Sequence, residues 1–508
     1  MTDNNKTPFE QLAARRSLLL DENRASMVEK RRRRGGRTAR ENLNDLLGGL
    51  DGIEYGELTV AAQRSRRSIK DLQVETPGDG VLTVIGPVNA DSYPRERTAT
   101  ALIVNDYSVL AGTQGFFHHK KIDRILKLAR QQALPIIMYT EGGGGRPGDT
   151  DVLIAMGGLN VHTFYCWAGL AGHVPRIAVN HGFCFAGNAA LFGAADLRIA
   201  TRNSYIGMAG PAMIEGGGLG HYKPTEIGPV ETHLRNGVVD VLADDESHAT
   251  SIAKLALSYT QGRAAIWQAH DQSHLRDSLP SNRRMAYNVR SIITTLTDID
   301  SLLEIRSDYG KAIFAGLARV AGIPVAVMAS DCRHLGGAID TQAAQKASDL
   351  FRLAERWKLP LISLIDTPGF MVGPSSEEAG APGVMSELFI AGATFSQPIV
   401  SIFLRRGYGL GAMAMAGGSF EVPVLAASWP EGEFGAMGLE GAVKLGFKQE
   451  LEAAADDDQR KALYDSLLSE MYERGKATET ASFLEIDTVI DPSKTREIIT
   501  STLLNVTS

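Results

Sequence analysis

The sequence predicts an α/β protein that contains two tandem copies of one domain. Three observations predict this fold class: short β-branched segments alternate with helical segments, two separate blocks recur at nearly the same spacing, and glycine-rich loops follow the predicted strands. The alternation starts at Val81 with VLTVI and continues through ATALIV, the helical KIDRILKLARQQ and the strand LPIIMYT. Strands that alternate with helices in this way are typical of layered α/β architecture.

Two blocks of the sequence occur twice. The block KLARQQALPIIMYTEGGGGRPG, from Lys127, resembles RLAERWKLPLISLIDTPGFMVG, from Arg352, and the prolines of their Leu-Pro pairs lie 225 positions apart (360 − 135). A second pair of similar blocks begins at Pro175 and Pro398, 223 positions apart (398 − 175). Because two independent blocks share nearly the same spacing, the sequence predicts a duplicated domain. The alternative is a chance likeness between strand–loop–helix units.

The predicted organisation has three parts: a helical, basic leader at residues 1–70, an N-terminal domain at residues 71–272 and a C-terminal domain at residues 273–508. The leader contains KRRRR at residues 30–34, which we interpret as a solvated face, with a phosphate or partner-protein contact as the alternative. Residues 39–47 predict an amphipathic helix. The polar stretch DQSHLRDSLPSNRR interrupts the α/β pattern and indicates the boundary between the two copies.

Composition and charge exclude several classes of protein. The 52 basic and 59 acidic residues give a net charge of −7, which provides no positive field to collect nucleic-acid phosphates. No apolar run approaches the ~18 residues that a membrane-spanning helix needs, and the opening MTDNNKTPFE has no apolar signal core. The three cysteines form no CxxC pair, so neither a disulfide framework nor a zinc cluster is predicted. We therefore expect a reduced, cytoplasmic protein, or one of the mitochondrial matrix in a eukaryote.

Two glycine-rich loops carry the predicted chemistry. In each, a strand leads into a turn of small residues and then into a helix, at residues 179–192 and at residues 408–418. The first N–H groups of a helix have no intrahelical partner, and small residues let a substrate oxygen approach them. Each loop is therefore a candidate oxyanion hole, in which removal of one donor costs about 2.7–4 kcal/mol. The alternative for either loop alone is close packing of a helix on a sheet, which also selects glycine and alanine.

Other motifs do not support a function. Residues 143–148 match the dinucleotide pattern GxGxxG, but a proline and polar residues make a poor helix start, and no ribose-binding acid follows about 20 residues later. The sequence DTPG at residues 366–369 is like a GTPase switch loop, but there is no GxxxxGK[ST] loop, and no GxSxG elbow either. Four histidines lack metal-ligand spacing, and we expect them to be polar surface or supporting residues: His118, His119, His162 and His173.

Four blocks of the sequence resemble the carboxyltransferase (β) subunits of biotin-dependent acyl-CoA carboxylases, the propionyl-CoA, acetyl-CoA and methylcrotonyl-CoA carboxylase group. The blocks are GTQGFFHHKKIDRILKLARQQALPIIMYTEGGGGRPG, GFCFAGNAALFGAADLRIATRNSYIGMAGPAMIEGGG, DTPGFMVGPSSEEAGAPGVMSELFIAGATFSQP and WPEGEFGAMGLEGAV. The resemblance extends from about Thr38 to the C-terminal helices. It implies two tandem crotonase-like domains (ClpP/crotonase superfamily, ββα-type units), which agrees with the duplication. It also implies a dimer-based homo-oligomer, with a hexamer as one form, in which the N-terminal domain of one subunit faces the C-terminal domain of another.

The resemblance implies a reaction that needs no side-chain base on the protein. Carboxybiotin releases CO₂, the biotin ureido nitrogen takes the α-proton of the acyl-CoA, and the resulting enolate attacks CO₂. The amides of Gly187 and Asn188 are expected to hold the enolate oxygen, and those of Gly411 and Ala412 the ureido oxygen of biotin. Six further residues are expected along the CoA and acyl passage of the N-terminal domain: Gly143, Gly144, Gly145, Arg146, Ala209 and Gly210. Four are expected near biotin in the C-terminal domain: Gly336, Gly337, Gly369 and Phe370.

The sequence departs from the family pattern in three ways. The loops at residues 182–189 and 408–415 are one residue longer than the commonest form. The second glycine of the usual N-domain pair is Asn188 here. The aspartate that helps to choose the acyl chain in propionyl-type enzymes is replaced by Met413 or Ala414. We therefore expect a larger or more apolar acyl group.

Biotin is expected on a partner chain. The sequence contains no Met-Lys-Met attachment tripeptide and no ATP-binding loop, so the expected partner is a biotin carboxylase or biotin carboxyl carrier subunit, and the substrate is a coenzyme A thioester. No metal, nucleic acid or membrane partner is expected. Two alternatives stay open. One is a divergent biotin-independent acyl-thioester decarboxylase or hydrolase, since the same oxyanion holes serve any enolate or tetrahedral anion. The other is a non-catalytic paralogue that scaffolds a carboxylase complex.

Overall fold

The computed structural model describes residues 6–152 and 160–506 of the chain. The chain divides into two compact units, which we call unit 1 (Met1–Gln261) and unit 2 (Gly262–Ser508). The leader expected at residues 1–70 is part of unit 1, and the division lies shortly before the expected boundary at residues 272 and 273. Among the helices that the structure describes, none has the length and apolar character needed to cross a bilayer.

Unit 1 is built on a mostly parallel sheet. Its strands are β1 (Ile53–Glu54), β2 (Val81–Pro87), β3 (Ala99–Asn105), β4 (Ile136–Tyr139), β5 (Arg176–Asn180), β6 (Phe183–Phe185), β7 (Leu197–Thr201), β8 (Tyr205–Gly207) and β9 (Val241–Ala243). Its helices are α1 (Pro8–Ser17), α2 (Ala25–Arg33), α3 (Ala39–Leu47), α4 (Ile69–Glu75), α5 (Phe116–Gln132), α6 (Thr163–Ala168), α7 (Gly187–Gly193), α8 (Pro211–Gly216), α9 (Val230–Arg235) and α10 (Glu246–Ser258). The seven-stranded sheet has the order β1-β2-β3-β4-β5-β7-β9. The β1–β2 and β2–β3 pairs are antiparallel and the other pairs are parallel, while β6 and β8 form a small parallel pair of their own.

The helix predicted at residues 39–47 is confirmed as α3. It begins with a capping box, in which the Thr38 side chain accepts from the Glu41 amide and the Glu41 side chain accepts from the Thr38 amide. It ends at Gly48, whose φ of 61° is the left-handed conformation that commonly closes a helix. The apolar face, which includes the fully buried Leu46, packs against α10 and the sheet.

The core of unit 1 lies between its sheet and its helices. Every residue of β4 and β5 is buried, as expected for parallel strands with both faces covered. Trp167 of α6 is fully buried and its Nε1 donates to the carbonyl of Leu191 at 2.8 Å. This bond connects α6 to α7, the helix that follows the first predicted oxyanion loop.

Unit 2 repeats the same layered arrangement. Its strands are β10 (Leu303–Glu304), β11 (Ile313–Val320), β12 (Ile323–Ser330), β13 (Leu361–Thr367), β14 (Ile399–Tyr408), β15 (Leu425–Ser428), β16 (Glu433–Gly435) and β17 (Thr488–Val489). Its helices are α11 (Val289–Leu296), α12 (Thr341–Trp357), α13 (Pro374–Glu378), α14 (Ala381–Ala393), α15 (Gly409–Met415), α16 (Leu439–Gly446), α17 (Lys448–Glu452), α18 (Asp457–Arg474), α19 (Ala477–Ser482) and α20 (Thr495–Val506). The strand order is β10-β11-β12-β13-β14-β15-β17, and β16 pairs with the end of β14.

The duplication predicted from the sequence is confirmed by equivalent elements in the two units. Helices α5 and α12 both contain 17 residues, and their first residues lie 225 positions apart (341 − 116). The same offset relates Gly112 to Gly337, which both have positive φ. A Cβ at Gly112 would lie 2.6 Å from the carbonyl oxygen of Glu141, and one at Gly337 would lie 2.6 Å from that of Asp366. The backbone at the carboxyl end of β4 and of β13 therefore makes the same close approach.

Candidate active site

The loop after β4 forms one wall of the site in unit 1. Strand β4 leads through Glu141 into four glycines at residues 142–145. A side chain at Gly142 is excluded, because its Cβ would lie 2.3 Å from the carbonyl oxygen of Gly112. Gly144 has a φ of 88°, a left-handed conformation that favours glycine. The loop is therefore close-packed backbone that carries no bulky side chain.

The start of α7 provides amides without helical partners. Ala186, the residue before the helix, has φ 52° and ψ −119°, and its N–H donates to the Gly207 carbonyl at 2.9 Å. A positive φ on an alanine costs about 1–3 kcal/mol, and such strain clusters at functional sites. The amide of Ala190 donates to the Ala186 carbonyl at 2.9 Å, so the amides of Gly187 and Asn188 precede the first bonded turn. The structure thus places both predicted donors at the helix start.

The side chain of Asn188 joins α7 to the glycine loop. Its Oδ1 accepts a hydrogen bond from the Gly144 amide at 3.0 Å, and its Nδ2 donates to the Thr140 carbonyl at 3.1 Å. The residue is fully buried, so these two bonds set the spacing between helix and loop. The asparagine that replaces the usual glycine therefore acts within the framework of the site.

A cavity of about 1020 Å³ opens in front of Gly187. Its lining includes three of the predicted residues, Gly145, Arg146 and Gly187. The lining also includes Gln114, His119, Phe164 and Met213. The ring of Phe164 comes close to the helix start, because a Cβ at Gly187 would lie 3.0 Å from the Phe164 Cζ. Gly143 and Gly144 belong to the same loop as Gly145 but are not part of this lining.

Ala209 and Gly210 lie between β8 and α8. A Cβ at Gly210 would lie 3.4 Å from the ring of Phe185, which in β6 pairs with Gly207 of β8. Helix α8 contributes Met213 to the cavity lining, whereas the two predicted residues are not part of it. This segment therefore borders the cavity through its helix.

The guanidinium of Arg146 is engaged by the protein itself. Its Nη1 donates to the Asp79 carboxylate at 2.5 Å and its Nη2 to the Thr113 carbonyl at 2.7 Å, and only 5% of the side chain is exposed. A charge neutralised in this way shapes the cavity wall and is not a free cation for CoA phosphates.

A buried ion-pair cluster lies behind the glycine loop. Arg31 donates to both carboxylate oxygens of Glu141, at 2.8 and 2.5 Å, and lies 3.3 Å from the Glu246 carboxylate. Burial, which the positive charge of Arg31 opposes, raises the pKa of Glu141 to about 7. Arg31 belongs to the basic run at residues 30–34, and its four other members are exposed. The interpretation of this run as a solvated face is therefore wrong for Arg31, which connects the leader to the glycine loop.

The neighbouring histidines have partners within unit 1. The Thr163 hydroxyl donates to Asp123 at 2.5 Å, so His119 Nδ1, 2.9 Å from that hydroxyl oxygen, carries a proton and donates to it. Burial lowers the pKa of His119. His118 is fully buried, with Nδ1 3.1 Å from the Asp79 carbonyl oxygen. Within residues 6–152 and 160–506, no group of three or more His, Cys, Asp or Glu side chains is arranged to hold a metal ion.

Three glycine-containing segments meet in unit 2. The Thr367 hydroxyl donates to the Gly337 carbonyl at 2.7 Å and accepts from the Gly369 amide at 3.1 Å. A Cβ at Gly411 would lie 2.8 Å from the Gly369 Cα and 3.0 Å from the Phe370 nitrogen. The structure therefore brings together the residues that the sequence predicts on the biotin side.

The predicted donor pairs lie at different positions of their helices. Gly409, which begins α15, has a φ of 58° that matches the 52° of Ala186 before α7. Counted from these two residues, Gly411 is the counterpart of Asn188, and Ala412 is the counterpart of the residue after it. The pair in unit 2 is thus displaced by one residue relative to the pair in unit 1.

The position shared by Gly411 and Asn188 contacts the glycine loop in both units. In unit 2, Gly411 packs directly on the backbone of Gly369. In unit 1, the Asn188 side chain spans the gap to Gly144, the counterpart of Gly369. The loop and the helix start are therefore held further apart in unit 1.

The two residues predicted to influence acyl choice have different surroundings. Met413 lines a second cavity, of about 740 Å³, whose wall also includes Phe434 and Met437. Ala414 is fully buried and is not part of that lining. Of the two, Met413 is the residue whose side chain reaches a cavity.

Asp366 occupies in unit 2 the position of Glu141 in unit 1 (366 − 141 = 225). It accepts from Arg405 Nη2 at 2.8 Å and from Arg406 Nε at 2.7 Å, and Arg406 also donates to the Gly336 carbonyl at 2.8 Å. Burial alone would raise the pKa of Asp366, but the guanidiniums of Arg406 and Arg405 lower it. Each unit therefore supports its glycine loop with a buried acid that is paired with arginine.

Known proteins share both the sequence pattern and this fold. Residues 30–505 match the family described as the carboxyl transferase domain. The chain belongs to this family. The carboxyltransferase is 29% identical over 516 residues to the methylmalonyl-CoA carboxyltransferase 12S subunit of Propionibacterium freudenreichii subsp. shermanii, with 97% of this chain and 93% of that subunit covered.

Two solved structures share the fold over nearly the whole carboxyltransferase. One is a single-chain, multi-domain long-chain acyl-CoA carboxylase, 48% identical with a TM-score of 0.92, over 98% of this chain and 49% of that one. The carboxyltransferase thus spans about half the length of that enzyme. The other is transcarboxylase 12S, described as a hexamer assembly with methylmalonyl-CoA and methylmalonic acid bound. It is 26% identical with a TM-score of 0.86, over 100% of this chain and 96% of that one.

These comparisons confirm the resemblance, the fold class and the predicted activity. The chain is a carboxyltransferase of the biotin-dependent acyl-CoA carboxylase group and contains two crotonase-like domains. The roles of individual residues and the assignment of one substrate to each unit stay predictions.

Sequence reasoning missed three features of the site: the side-chain bonds of Asn188, the pairing of Arg31 with Glu141, and the position of Gln114 beside Gly187. The repeat offset of 225 contains a signal for two of them. It pairs Glu141 with Asp366, both acids, and it pairs Gln114 with Ile339, a polar residue with an apolar one.

Proposed function

We propose that this carboxyltransferase moves a carboxyl group from carboxybiotin to the α-carbon of a long-chain acyl-CoA. The observation that carries the proposal is the start of α7, where the amides of Gly187 and Asn188 precede the first bonded turn and Gly187 lines a cavity of about 1020 Å³. A strand–turn–helix start also occurs at α15, and we assign the second anion-stabilising site to it, because transfer between two oxyanion-forming substrates requires two such sites.

Unit 1 is the proposed acyl-CoA side. The amides of Gly187 and Asn188 hold the thioester oxygen, on which negative charge develops as the α-proton leaves. Loss of one such donor in other enzymes costs about 2.7–4 kcal/mol of activation free energy. Gly145 and Arg146 line the proposed passage for the acyl group and CoA, and Gly143, Gly144, Ala209 and Gly210 lie in the segments that border it.

Unit 2 is the proposed carboxybiotin side. The amides of Gly411 and Ala412 hold the ureido oxygen, which becomes negative when the N1′–carboxyl bond breaks and CO₂ departs. Gly369 and Phe370 lie against Gly411, and Gly336 and Gly337 are assigned to the biotin side with them. The freed N1′ takes the α-proton, and the enolate carbon then bonds to CO₂, so the proton and the carboxyl group exchange places and nothing else is consumed.

Two observations support a long acyl chain. The long-chain acyl-CoA carboxylase that matches this chain is 48% identical to it. The cavity in unit 1 is large, and aromatic and apolar side chains contribute to its lining, including Phe116, Phe164 and Met213. Each buried methylene contributes about 0.8 kcal/mol, roughly fourfold in kcat/KM, until the cavity is full.

Biotin and the ATP-dependent step are proposed to reside on a partner, a biotin carboxylase with its biotin carboxyl carrier. The support is the lack of a Met-Lys-Met tripeptide and of an ATP-binding loop in the 508 residues. We further propose a homo-oligomer, in line with the hexamer assembly described for transcarboxylase 12S.

Reconstitution tests the proposal. The chain is combined with such a partner, ATP, Mg²⁺ and radioactive bicarbonate, and acid-stable label is measured with a series of acyl-CoAs from propionyl to palmitoyl. We expect labelling that needs every component and a kcat/KM that rises with chain length. Labelling by the chain alone, or a preference for propionyl-CoA, contradicts the proposal.

A matched pair of variants tests the donors of α7. In Gly187→Ala the new Cβ would lie 2.2 Å from the Gln114 Oε1 and 3.0 Å from the Phe164 ring, at the mouth of the proposed oxyanion hole. In Gly193→Ala, at the other end of the same helix, nothing lies within 4 Å of the new Cβ. We expect the first variant to lose about 10²-fold in kcat and the second to keep wild-type kcat. Equal rates for the two variants would remove Gly187 from the site.

A further inference from the structure

Gln114 has a buried side-chain donor, Nε2, for which the described residues provide no acceptor. Only 3% of the residue is exposed, and its Nε2 donates to no acceptor in the part of the chain that the structure describes. Its backbone is held on both sides, because its N–H donates to the Gly144 carbonyl at 2.7 Å and its carbonyl accepts from the Arg146 amide at 2.9 Å. An unpaired buried donor destabilises a fold, so its presence at a rigid position needs a reason other than stability.

The carboxamide of Gln114 lies at the proposed oxyanion hole. A Cβ at Gly187 would be 2.2 Å from the Gln114 Oε1, and both residues line the cavity of about 1020 Å³. The last torsion of a glutamine side chain is broad and roughly two-fold. A half-turn about it exchanges Oε1 and Nε2 and directs an N–H toward Gly187.

Unit 2 shows that the fold does not require an amide at this place. The residue at the repeat offset is Ile339 (339 − 114 = 225), whose N–H donates to the Gly369 carbonyl at 3.0 Å and whose carbonyl accepts from Met371 at 2.8 Å. These are the backbone bonds of Gln114 in unit 1, yet the Ile339 side chain is hydrocarbon and fully buried. The same framework is therefore complete with an apolar residue.

We propose that Gln114 is a catalytic residue whose carboxamide N–H donates a third hydrogen bond to the enolate oxygen of the acyl-CoA, beside the amides of Gly187 and Asn188. This inference rests on the proposed function, which supplies the enolate. Among the described residues Nε2 has no acceptor, and the thioester oxygen that becomes negative in the transition state provides one. The half-turn that presents this N–H needs no movement of the backbone, which the bonds to Gly144 and Arg146 hold in place.

The first test uses Gln114→Met and Gln114→Ile in the reconstituted carboxylase. Methionine keeps the length of the side chain, and isoleucine is the residue of unit 2. For both, we expect kcat to fall about 10²-fold, KM for acyl-CoA to change less than about threefold, and the urea midpoint of unfolding to stay equal or rise, since an unpaired buried donor has been removed. A structural role would instead lower stability and rate together.

The second test uses the pH profile of Gln114→Glu. A carboxylate donates no hydrogen bond and repels the enolate, whereas the protonated acid donates from its O–H. The ratio of variant to wild-type kcat should therefore rise as the pH falls. A ratio that stays flat with pH overturns the inference.

The outcomes separate this inference from the function on which it rests. Wild-type transfer together with unchanged kcat in Gln114→Met and Gln114→Ile overturns the role of Gln114 and leaves the function standing. Absence of partner-dependent transfer in the wild type overturns both.

Discussion

Replacing Asn188 by glycine removes both side-chain bonds between α7 and the loop after β4. The Gly144 amide, 3.0 Å from Oδ1, and the Thr140 carbonyl, 3.1 Å from Nδ2, both lose a buried partner. In unit 2 the equivalent Gly411 packs directly on the loop, but in unit 1 the loop and the helix start are spaced for the longer side chain. The variant therefore leaves a gap at the site, and two buried polar groups each lose a hydrogen bond.

The expected loss in the free energy of unfolding follows from these two polar groups. A buried polar group left unpaired costs about 1–3 kcal/mol. The Thr140 carbonyl keeps a weak contact with the Cys184 thiol at 3.5 Å, so we expect the total in the lower half of the range, a loss of about 2–4 kcal/mol in the free energy of unfolding. The glycine loop is also freed to move, and a displacement of about 1 Å at a reacting centre costs about 10²-fold in rate.

Urea unfolding and steady-state kinetics measure these two effects. The control is Ala189→Gly, one residue further along the same helix, which has no side-chain hydrogen bond to lose and should cost about 1 kcal/mol from helix propensity. We expect Asn188→Gly to be less stable than this control and to have the lower kcat. If the two variants unfold at the same urea concentration and turn over at the same rate, the Asn188 bonds do not hold the site together.

Three further predictions concern other parts of the molecule. Gly411→Val places a side chain against the Gly369 backbone, since even a Cβ at this position would lie 2.8 Å from the Gly369 Cα. Transfer from free carboxybiotin should slow by at least about 10²-fold, while the affinity for acyl-CoA stays unchanged. A large loss of CoA affinity would reverse the assignment of the two units. Arg31→Met breaks a buried ion pair and should lower the free energy of unfolding by about 3–5 kcal/mol. The control Arg33→Met, at an exposed ion pair, should change it by less than about 0.5 kcal/mol. Equal losses for the two variants in urea unfolding would mean that the buried cluster does not stabilise the fold. Burial lowers the pKa of Lys346, a residue of α12, from 10.5 to about 7. Between these two values the unfolded chain binds a proton that the folded chain does not, so the free energy of unfolding falls as the pH falls from 10.5 to about 7, by at most about 1.4 kcal/mol per pH unit. Lys346→Met lacks this pH dependence, so the variant should become more stable relative to the wild type as the pH falls from 10 to 7. A constant difference in the free energy of unfolding would show that the pKa of Lys346 is not lowered.

The fold was predictable because the duplication leaves a direct mark on the sequence. The Leu-Pro pairs that follow α5 and α12 keep the same offset as the helices themselves, and the glycine positions that need positive φ, such as Gly112 and Gly337, keep it too. Where the backbone geometry admits only small residues, the residue types in the sequence show it. The predicted loops at the starts of α7 and α15 were found by the same rule.

Side-chain partnerships were less predictable, because they depend on distances across the fold. Arg31 lies in a run of five basic residues, and its burial depends on where α2 meets Glu141, which the run itself does not show. Asn188 occupies a position where glycine is usual, and its role follows from a gap to Gly144 that no local pattern reports. Gln114 has a buried Nε2 for which the described residues offer no acceptor, a property of the folded chain that no local sequence pattern shows.

The reverse half-reaction tests the central claim without any partner protein. The chain is incubated with a long-chain 2-carboxyacyl-CoA, with and without free biotin, and formation of the decarboxylated acyl-CoA is followed by chromatography. Transfer of the carboxyl group to N1′ should occur only when biotin is present, and Gly187→Ala should slow it about 10²-fold. Loss of CO₂ at the same rate without biotin would show that the two glycine loops serve decarboxylation alone, and no reaction in either case would show that they are not a carboxyl-transfer site.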